Sequence, residues 1–392
     1  MKIAIYSGNI PSTTFIENLI DGLSQAGYEI LLFGKLLKKV EARKNVKLIP
    51  TPVKNIPLIL FVSKQSLLLL LKEPGLLFRS LKTFKKKSGS IKSFLQKAGV
   101  LLPVFNNMPD VFHIQWAKTV EQHPELFSLT DMKIALSLRG AHINYSPLAD
   151  NDLAEAYKKY FPEIRAFHAV SKAIGDEAEK YGADKKKIKV IYTSVKEDLL
   201  QKSPKLYEGG NLEIISVGRF HWKKGYHYAI DAMKILRDEG LNFNYTIIAQ
   251  GEIPEEIIFL IDEYQLYDKV KIVQGMSYEE LISKLLSSHL LLLPSVEEGI
   301  ANVVLEAMAS GVPVITTDCG GMKEAVEDNI NGYVVSIREP DQIAEKIRVF
   351  IRSEKDVKEK ITAKARETVI EKFSRPRQVM EFSEFYDSIV RQ

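Results

Sequence analysis

The 392-residue chain holds a single cysteine, Cys319. It therefore has no disulfide framework and no cysteine metal cluster, as suits a reducing compartment. No Gly-x-Gly-x-x-Gly follows the first apolar run at 2–7, which argues against a nicotinamide dehydrogenase. Uninterrupted apolar runs are also short. The greasiest, Leu67 to Leu71, is bracketed by Lys64 and Lys72, far below the ~18 residues of a spanning helix. No small-residue cleavage site follows a long apolar run near the start, so the expected location is the cytoplasm. Net charge is small too: 54 basic against 50 acidic residues leave +4, which argues against a dedicated nucleic-acid binder.

What is present is an average soluble composition, 45% hydrophobic and 27% charged, which excludes disorder and collagen. The length is too great for one core and predicts two domains. Short aliphatic runs recur at 2–7, 29–34, 46–50, 111–115, 133–138, 166–171 and 189–193. A second set falls at 212–218, 244–250, 270–275, 289–294, 313–318 and 332–337. Helical stretches alternate with them. Continuous apolar strands alternating with amphipathic helices predict an α/β fold of two doubly wound, Rossmann-like domains. The joint is expected at 201–211, where Ser203-Pro204-Lys205 and Glu208-Gly209-Gly210 break both periodicities, giving domains at 1–203 and 204–372. Ligands of such sheets bind beyond the carboxyl ends of the strands, so a site in a cleft between the domains is expected.

Residues 54–97 break the alternation. Apolar clusters there are threaded by ten lysines or arginines, and Glu73 is the only acid, a local +9 that leaves −5 for the rest of the +4 chain. Two readings stay open. One is a basic amphipathic element on an anionic membrane surface. The other is a helical insertion whose apolar face packs on the sheet while its lysines face water.

The densest chemical signal runs from Pro294 to Val335. A strand, a loop at 295–299 and a helix starting at Asn302 and ended by Gly311 and Pro313 are expected. The amides of Gly299, Ile300 and Ala301 at that helix start suit an anion, most naturally phosphate. Glu306 follows Glu298 by eight positions, roughly 12 Å if the span were helical, so the two carboxylates can meet opposite ends of an extended ligand. The second cationic element is Gly218-Arg219-Phe-His-Trp-Lys223-Lys224-Gly225, after the first strand of the second domain. Arg219 can fork two phosphate oxygens and Lys224 adds a point charge, together suited to a departing diphosphate. Read alone, each is more often a surface group: an ion-paired Arg219, or a solvated Lys223 or Lys224.

Gly-Arg-(four residues)-Lys-Gly, then Glu298-(seven residues)-Glu306, then Gly320-Gly321 and Glu324, resembles the retaining glycosyltransferases of family 4. The likeness is specific in the second domain and weaker in the first. Pro11-Ser-Thr-Thr-Phe15-Ile16 resembles a loop of capsule and colanic-acid members, which also tend to carry a basic, leucine-rich insertion where 54–97 stands. The resemblance implies a GT-B fold and retaining transfer from a UDP- or GDP-linked sugar, with no metal and no other cofactor. It implies that Arg219 and Lys224 hold the diphosphate beside Gly218, Glu298 the donor sugar, and Glu306 the ribose. Gly299, Ile300, Ala301 and Asn302 would line the phosphate or sugar, and Gly275 and Met276 the base. Residues 373–392 would form a helix returning to the first domain. The implied partners are a nucleotide-sugar donor and a glycan or polyprenyl-linked acceptor, at the inner face of the membrane if 54–97 docks there.

The sequence departs from the family at three places. The usual His-Gly is Arg139-Gly140, with His142 two residues on, so either side chain is a candidate for the transferred sugar. Arg139 would suit an acidic sugar or a phosphate-bearing acceptor. The nucleotide loop reads Ala249-Gln250-Gly251, and Thr193-Ser194 stands where Asn-Gly is familiar. Asp150-Asn-Asp152 has the Asp-x-Asp form of metal-dependent transferases, but it leads into a helix and reads better as an N-cap. His113 matches a family histidine and is expected to be structural. Trp116 and Trp222 could stack on a ligand or pack internally. Two rival functions remain: a sugar-nucleotide epimerase of the same architecture, and a non-catalytic donor-binding partner subunit.

Overall fold

A computed structural model describes residues 1–38 and 40–391. The chain divides into two compact units, Met1–Tyr192 with Gln378–Gln392, and Thr193–Arg377. The crossing into unit 2 thus comes at Thr193, ahead of the span 201–211. The turn Glu197–Gln201 packs in unit 2 on the helix Asn302–Ser310, and the Val195 amide donates to the Phe373 carbonyl at 3.1 Å.

Unit 1 contains β1 (Lys2–Ile10), β2 (Glu29–Leu36), β3 (Val46–Thr51), β4 (Val111–Ile114), β5 (Ile134–Leu138), β6 (Ala166–Ala169) and β7 (Ile188–Val190). They form one parallel sheet in the order β3-β2-β1-β4-β5-β6-β7. Unit 2 contains β8 (Leu212–Arg219), β9 (Phe243–Gln250), β10 (Val270–Val273), β11 (Leu290–Leu293), β12 (Val314–Thr317) and β13 (Tyr333–Val335). Its parallel order is β10-β9-β8-β11-β12-β13. Helices cover both faces of each sheet, which is why Leu290 to Leu293 are buried without alternation. Each order reverses once, at β1/β4 and at β8/β11, and those switch points open the crevices where such sheets take ligands.

The last helix, Arg375–Arg391, buries Phe382, Phe385, Tyr386 and Ile389 against unit 1. Each buried ring contributes about 1.5–3 kcal/mol of apolar transfer. A buried polar chain fixes its register. His168 Nε2 faces the Ile191 carbonyl at 2.9 Å and must donate, so His168 Nδ1 accepts from Ser137 Oγ at 2.8 Å. Ser137 in turn accepts from His113 Nε2 at 2.9 Å, which leaves His113 Nδ1 to accept from the Tyr386 hydroxyl at 2.7 Å. Burial keeps both rings neutral, His113 pushed down to about 3 and His168 well below its ordinary value. His113 is therefore structural.

Between β3 and β4 the segment 54–97 belongs to three helices, Asn55–Lys72, Pro74–Lys87 and Ile91–Asn106. The first is long and apolar enough to cross a membrane by length and composition. It buries Leu58, Val62, Gln65 and Leu69 on unit 1, a stripe of helical spacing. Ile56, Leu60, Leu67 and Leu71 form a second stripe about 180° away at ~100° per residue, and they are 59–77% exposed.

Candidate active site

In unit 2 the chemistry gathers at the β8/β11 switch point. β8 delivers Gly218 and the exposed Arg219 at its carboxyl end. The chain then makes one tight turn, Trp222–Lys224, and re-enters a helix at Tyr226. Gly218 allows a close approach: a Cβ there would meet the Tyr226 hydroxyl at 2.7 Å and Lys224 Cε at 2.9 Å, and would displace those two side chains. That approach folds Lys224 back over the strand end. Its Nζ donates to Glu298 Oε1 at 2.6 Å, and Ser295 Oγ donates to the same oxygen at 3.1 Å. Lys223, only 7% exposed, faces Glu297 and Glu298 at 3.9 Å each. Burial alone would raise the Glu298 carboxyl, but Lys224 and Lys223, with Ser295, outweigh it and hold Glu298 below its ordinary range. Glu298 is thus a buried carboxylate and hydrogen-bond acceptor. Arg219 forms no ion pair among the described residues and is the group available to an incoming anion.

The Glu298 loop is held from β11 to β12. Val296 N donates to the Lys223 carbonyl at 2.7 Å, and Thr317 Oγ1 donates to the Ser295 carbonyl. The helix Asn302–Ser310 that follows has no side-chain N-cap, which suits its start to an anion. Among the described residues the Ala301 amide donates to the thioether of Met322, at 3.4 Å, a weak acceptor.

Glu306 lies within that helix and has separate partners. The Tyr278 hydroxyl donates to Glu306 Oε1 at 3.2 Å, and Lys196 Nζ sits 4.2 Å from the centre of the Tyr278 ring. Burial raises the Glu306 carboxyl to about 7 despite the opposing effects of Tyr278 and Lys196. Tyr278 opens the helix Tyr278–Leu286 behind a capping box of Ser277 and Glu280. The exposed Gly275, with φ of +73°, and Met276 immediately precede that cap, so Tyr278 ties their loop to Glu306. Tyr278, Lys196 and the buried orientation of Lys223 were not visible as site features in the sequence.

Arg139 and His142 belong to unit 1, after β5. Arg139 Nη2 donates to Gln115 Oε1 at 2.9 Å, and its guanidinium lies 4.5 Å from the centre of the Phe15 ring. Trp116 is half-buried, donates to the Ser7 carbonyl at 2.9 Å, and packs 5.4 Å from His142. Trp222 is 57% exposed. Asp150 caps the helix Asn151–Tyr160 by accepting from Leu153 N at 3.1 Å, as its sequence context predicts.

Residues 198–368, nearly all of unit 2, match the family model of glycosyl transferases group 1. Unit 2 is similar to the group 1 glycosyl transferases that this model describes. The chain is 30% identical over 248 residues to WcaL of Escherichia coli strain K12, named as a colanic acid biosynthesis glycosyltransferase, covering 62% of this chain and 61% of that one. It is 27% identical over 295 residues to the amylovoran biosynthesis glycosyltransferase AmsK of Erwinia amylovora, covering 69% and 71%. The chain thus spans under two thirds of the length of the colanic acid relative and somewhat more of the amylovoran one. Among solved structures it resembles HepE of Anabaena in complex with UDP-glucose, with a TM-score of 0.73 and 17% identity over 99% of this chain and all of that one. A glycosyltransferase of Rickettsia africae matches with a TM-score of 0.70 and 19% identity over 100% and 99%. The α/β architecture of two parallel-sheet, Rossmann-like units is the GT-B fold. Within the matched residues, Gly218, Lys224 and Glu298 converge at one strand switch point, with Glu306 on the helix that leaves it.

Proposed function

We propose that the chain is a retaining, metal-independent glycosyltransferase that moves a sugar from a nucleoside diphosphate donor to a glycan or lipid-linked glycan in exopolysaccharide synthesis. The observation that carries this reading is the Lys224–Glu298 pair at 2.6 Å, set at the β8/β11 switch point of the unit that matches the group 1 model, beside an uncommitted Arg219. Cations at a strand end and an uncapped helix start suit a diphosphate, and a buried carboxylate suits paired sugar hydroxyls. Arg219 and Lys224 would then stabilise the charge on the leaving diphosphate, the work a metal does in other transferases. Glu306, with Tyr278 and the 275–276 loop, would hold the nucleoside. Relatives named for colanic acid and amylovoran biosynthesis motivate the acceptor class. A panel of UDP- and GDP-sugars, assayed with polyprenyl-linked glycan acceptors in excess chelator, tests the reading. Transfer with retained anomeric configuration supports it. Donor interconversion without acceptor, or activity restored only by magnesium, sinks it.

The insertion supports a peripheral membrane location. A helix buried along one face needs polar residues on the other in water, yet this one exposes Ile56, Leu60, Leu67 and Leu71. The flanking basic residues would draw that stripe to anionic headgroups, at about 1 kcal/mol per cation near the surface. The chain should sediment with anionic liposomes and be released by salt, and Leu60→Asp with Leu67→Asp should abolish sedimentation. Equal binding to neutral liposomes, or no effect of the pair, would overturn the dock.

A further inference from the structure

The buried polar chain in unit 1 leaves one group unaccounted for. Ser137 Oγ directs its proton to His168 Nδ1 at 2.8 Å rather than to Gln115 Oε1 at 3.4 Å, so Arg139, at 2.9 Å, is the closer donor to that oxygen. Gln115 is fully buried, and its Nε2 has no partner. Arg139 Nε and His142 Nδ1 are likewise buried and unsatisfied. No carboxylate acts on Arg139 among the described residues, and the charges acting on His142 are the cations Lys118 and Arg139. Burial pushes Arg139 down to about 9, which still leaves a cation at neutral pH. Buried charges are ordinarily paired, because an uncompensated one costs several kcal/mol. Arg139 is thus a cation with no anion among the described residues, and its own Nε, the Gln115 amide nitrogen and one His142 ring nitrogen all lack partners.

The cluster follows β4 and β5, next to the β1/β4 switch point. A cavity of about 430 Å³ lies beside that switch point, lined by Ser7, Asn9, Thr13, Lys35 and Trp116 among others. Trp116 lines that cavity and packs 5.4 Å from His142, so the cavity and the cluster share one side chain.

We propose that Arg139, Gln115 and His142 form an oxyanion pocket in unit 1 that selects substrates carrying a carboxylate or phosphate. The assignment rests on the transferase reading, since the anion belongs either to the transferred sugar or to the acceptor. Arg139 offers the fork geometry that binds either oxyanion, and Gln115 both orients the fork and adds a donor. His142 can present a proton on Nδ1 as the neutral tautomer.

Trp116 and Trp222 are the two tryptophans, so a Trp222→Phe chain reports from Trp116 alone. That chain is titrated with inorganic phosphate and with D-glucuronate at constant ionic strength. A saturable change in Trp116 emission is expected with at least one anion, weakened at least tenfold by Arg139→Gln. A response to glucuronate, with UDP-glucuronate bound at least tenfold tighter than UDP-glucose, places the anion on the transferred sugar. A response to phosphate alone places it on the acceptor. Removing an unpaired buried cation should leave the melting temperature in anion-free buffer unchanged or raised, whereas a purely structural Arg139 would lower it. No saturable response to either anion, an unaltered response in Arg139→Gln, or a lowered melting temperature overturns the pocket. Stabilisation by UDP, measured on the same chain, reads the donor site of unit 2 independently. Loss of that signal with the Trp116 response intact would sink the donor assignment and leave the anion pocket standing.

Discussion

Arg219→Ala should lower turnover about 100-fold or more while leaving the fold intact, since removing one preorganised donor to developing charge typically costs that much. Arg219 is exposed at the end of β8 and forms no ion pair among the described residues. Lys224→Ala should also abolish turnover, but with an added effect on stability. Lys224 neutralises a carboxylate that is 8% exposed, and its loss leaves Glu298 with Lys223 at 3.9 Å and Ser295. Breaking a buried pair by removing one partner costs about 3–5 kcal/mol. The two variants are therefore distinguishable. Melting curves should overlay the parent for Arg219→Ala and fall for Lys224→Ala, whereas kcat should fall in both. Near-normal kcat in Arg219→Ala would remove it from the leaving-group site.

Much of this was legible from residues alone, and what was missed has a physical cause. All thirteen strands lie where aliphatic runs fall, because a parallel sheet covered on both faces demands continuous apolar sequence. The glycine-arginine-lysine turn and the Glu298 loop are local motifs and stand at adjacent strand ends as expected. Three partners escaped notice because they come from far along the chain. Gln115 meets Arg139 across 24 residues, Tyr278 meets Glu306 across 28, and Lys196 reaches Tyr278 from the start of unit 2. Composition pointed to a break at 201–211, but the chain enters unit 2 at Thr193 and residue 195 already pairs there with 373, a long-range contact that no local pattern encodes. The insertion illustrates the reverse case. Its apolar spacing was evident, but only packing separates the stripe at Leu58, Val62 and Leu69 from the one left in solvent.

The tightest constraint on the site is on backbone rather than side chain, and Gly320→Ala should expose it. Gly320 has φ of +51°, in the left-handed region, where a side chain costs about 1 kcal/mol. A Cβ there would also run into the Glu298 carbonyl oxygen, a backbone atom that cannot swing aside as a flexible side chain could. Gly321 N donates to that same carbonyl at 3.3 Å, so any shift that relieves the clash strains the contact anchoring the loop. The loop must move, and Glu298 moves with it, away from Lys224 and Ser295. Gly240 supplies the control, since it too has positive φ, +79°, but a Cβ there meets nothing within 4 Å. Gly240→Ala should therefore cost only the conformational penalty and keep full turnover. Gly320→Ala should lose at least another 2 kcal/mol on the scale of core overpacking, and lower kcat by tenfold or more because the Lys224–Glu298 geometry is no longer held. Equal melting temperatures and equal kcat for the two alanine variants would show that the Glu298 loop yields freely, and that Gly320 does not set its position.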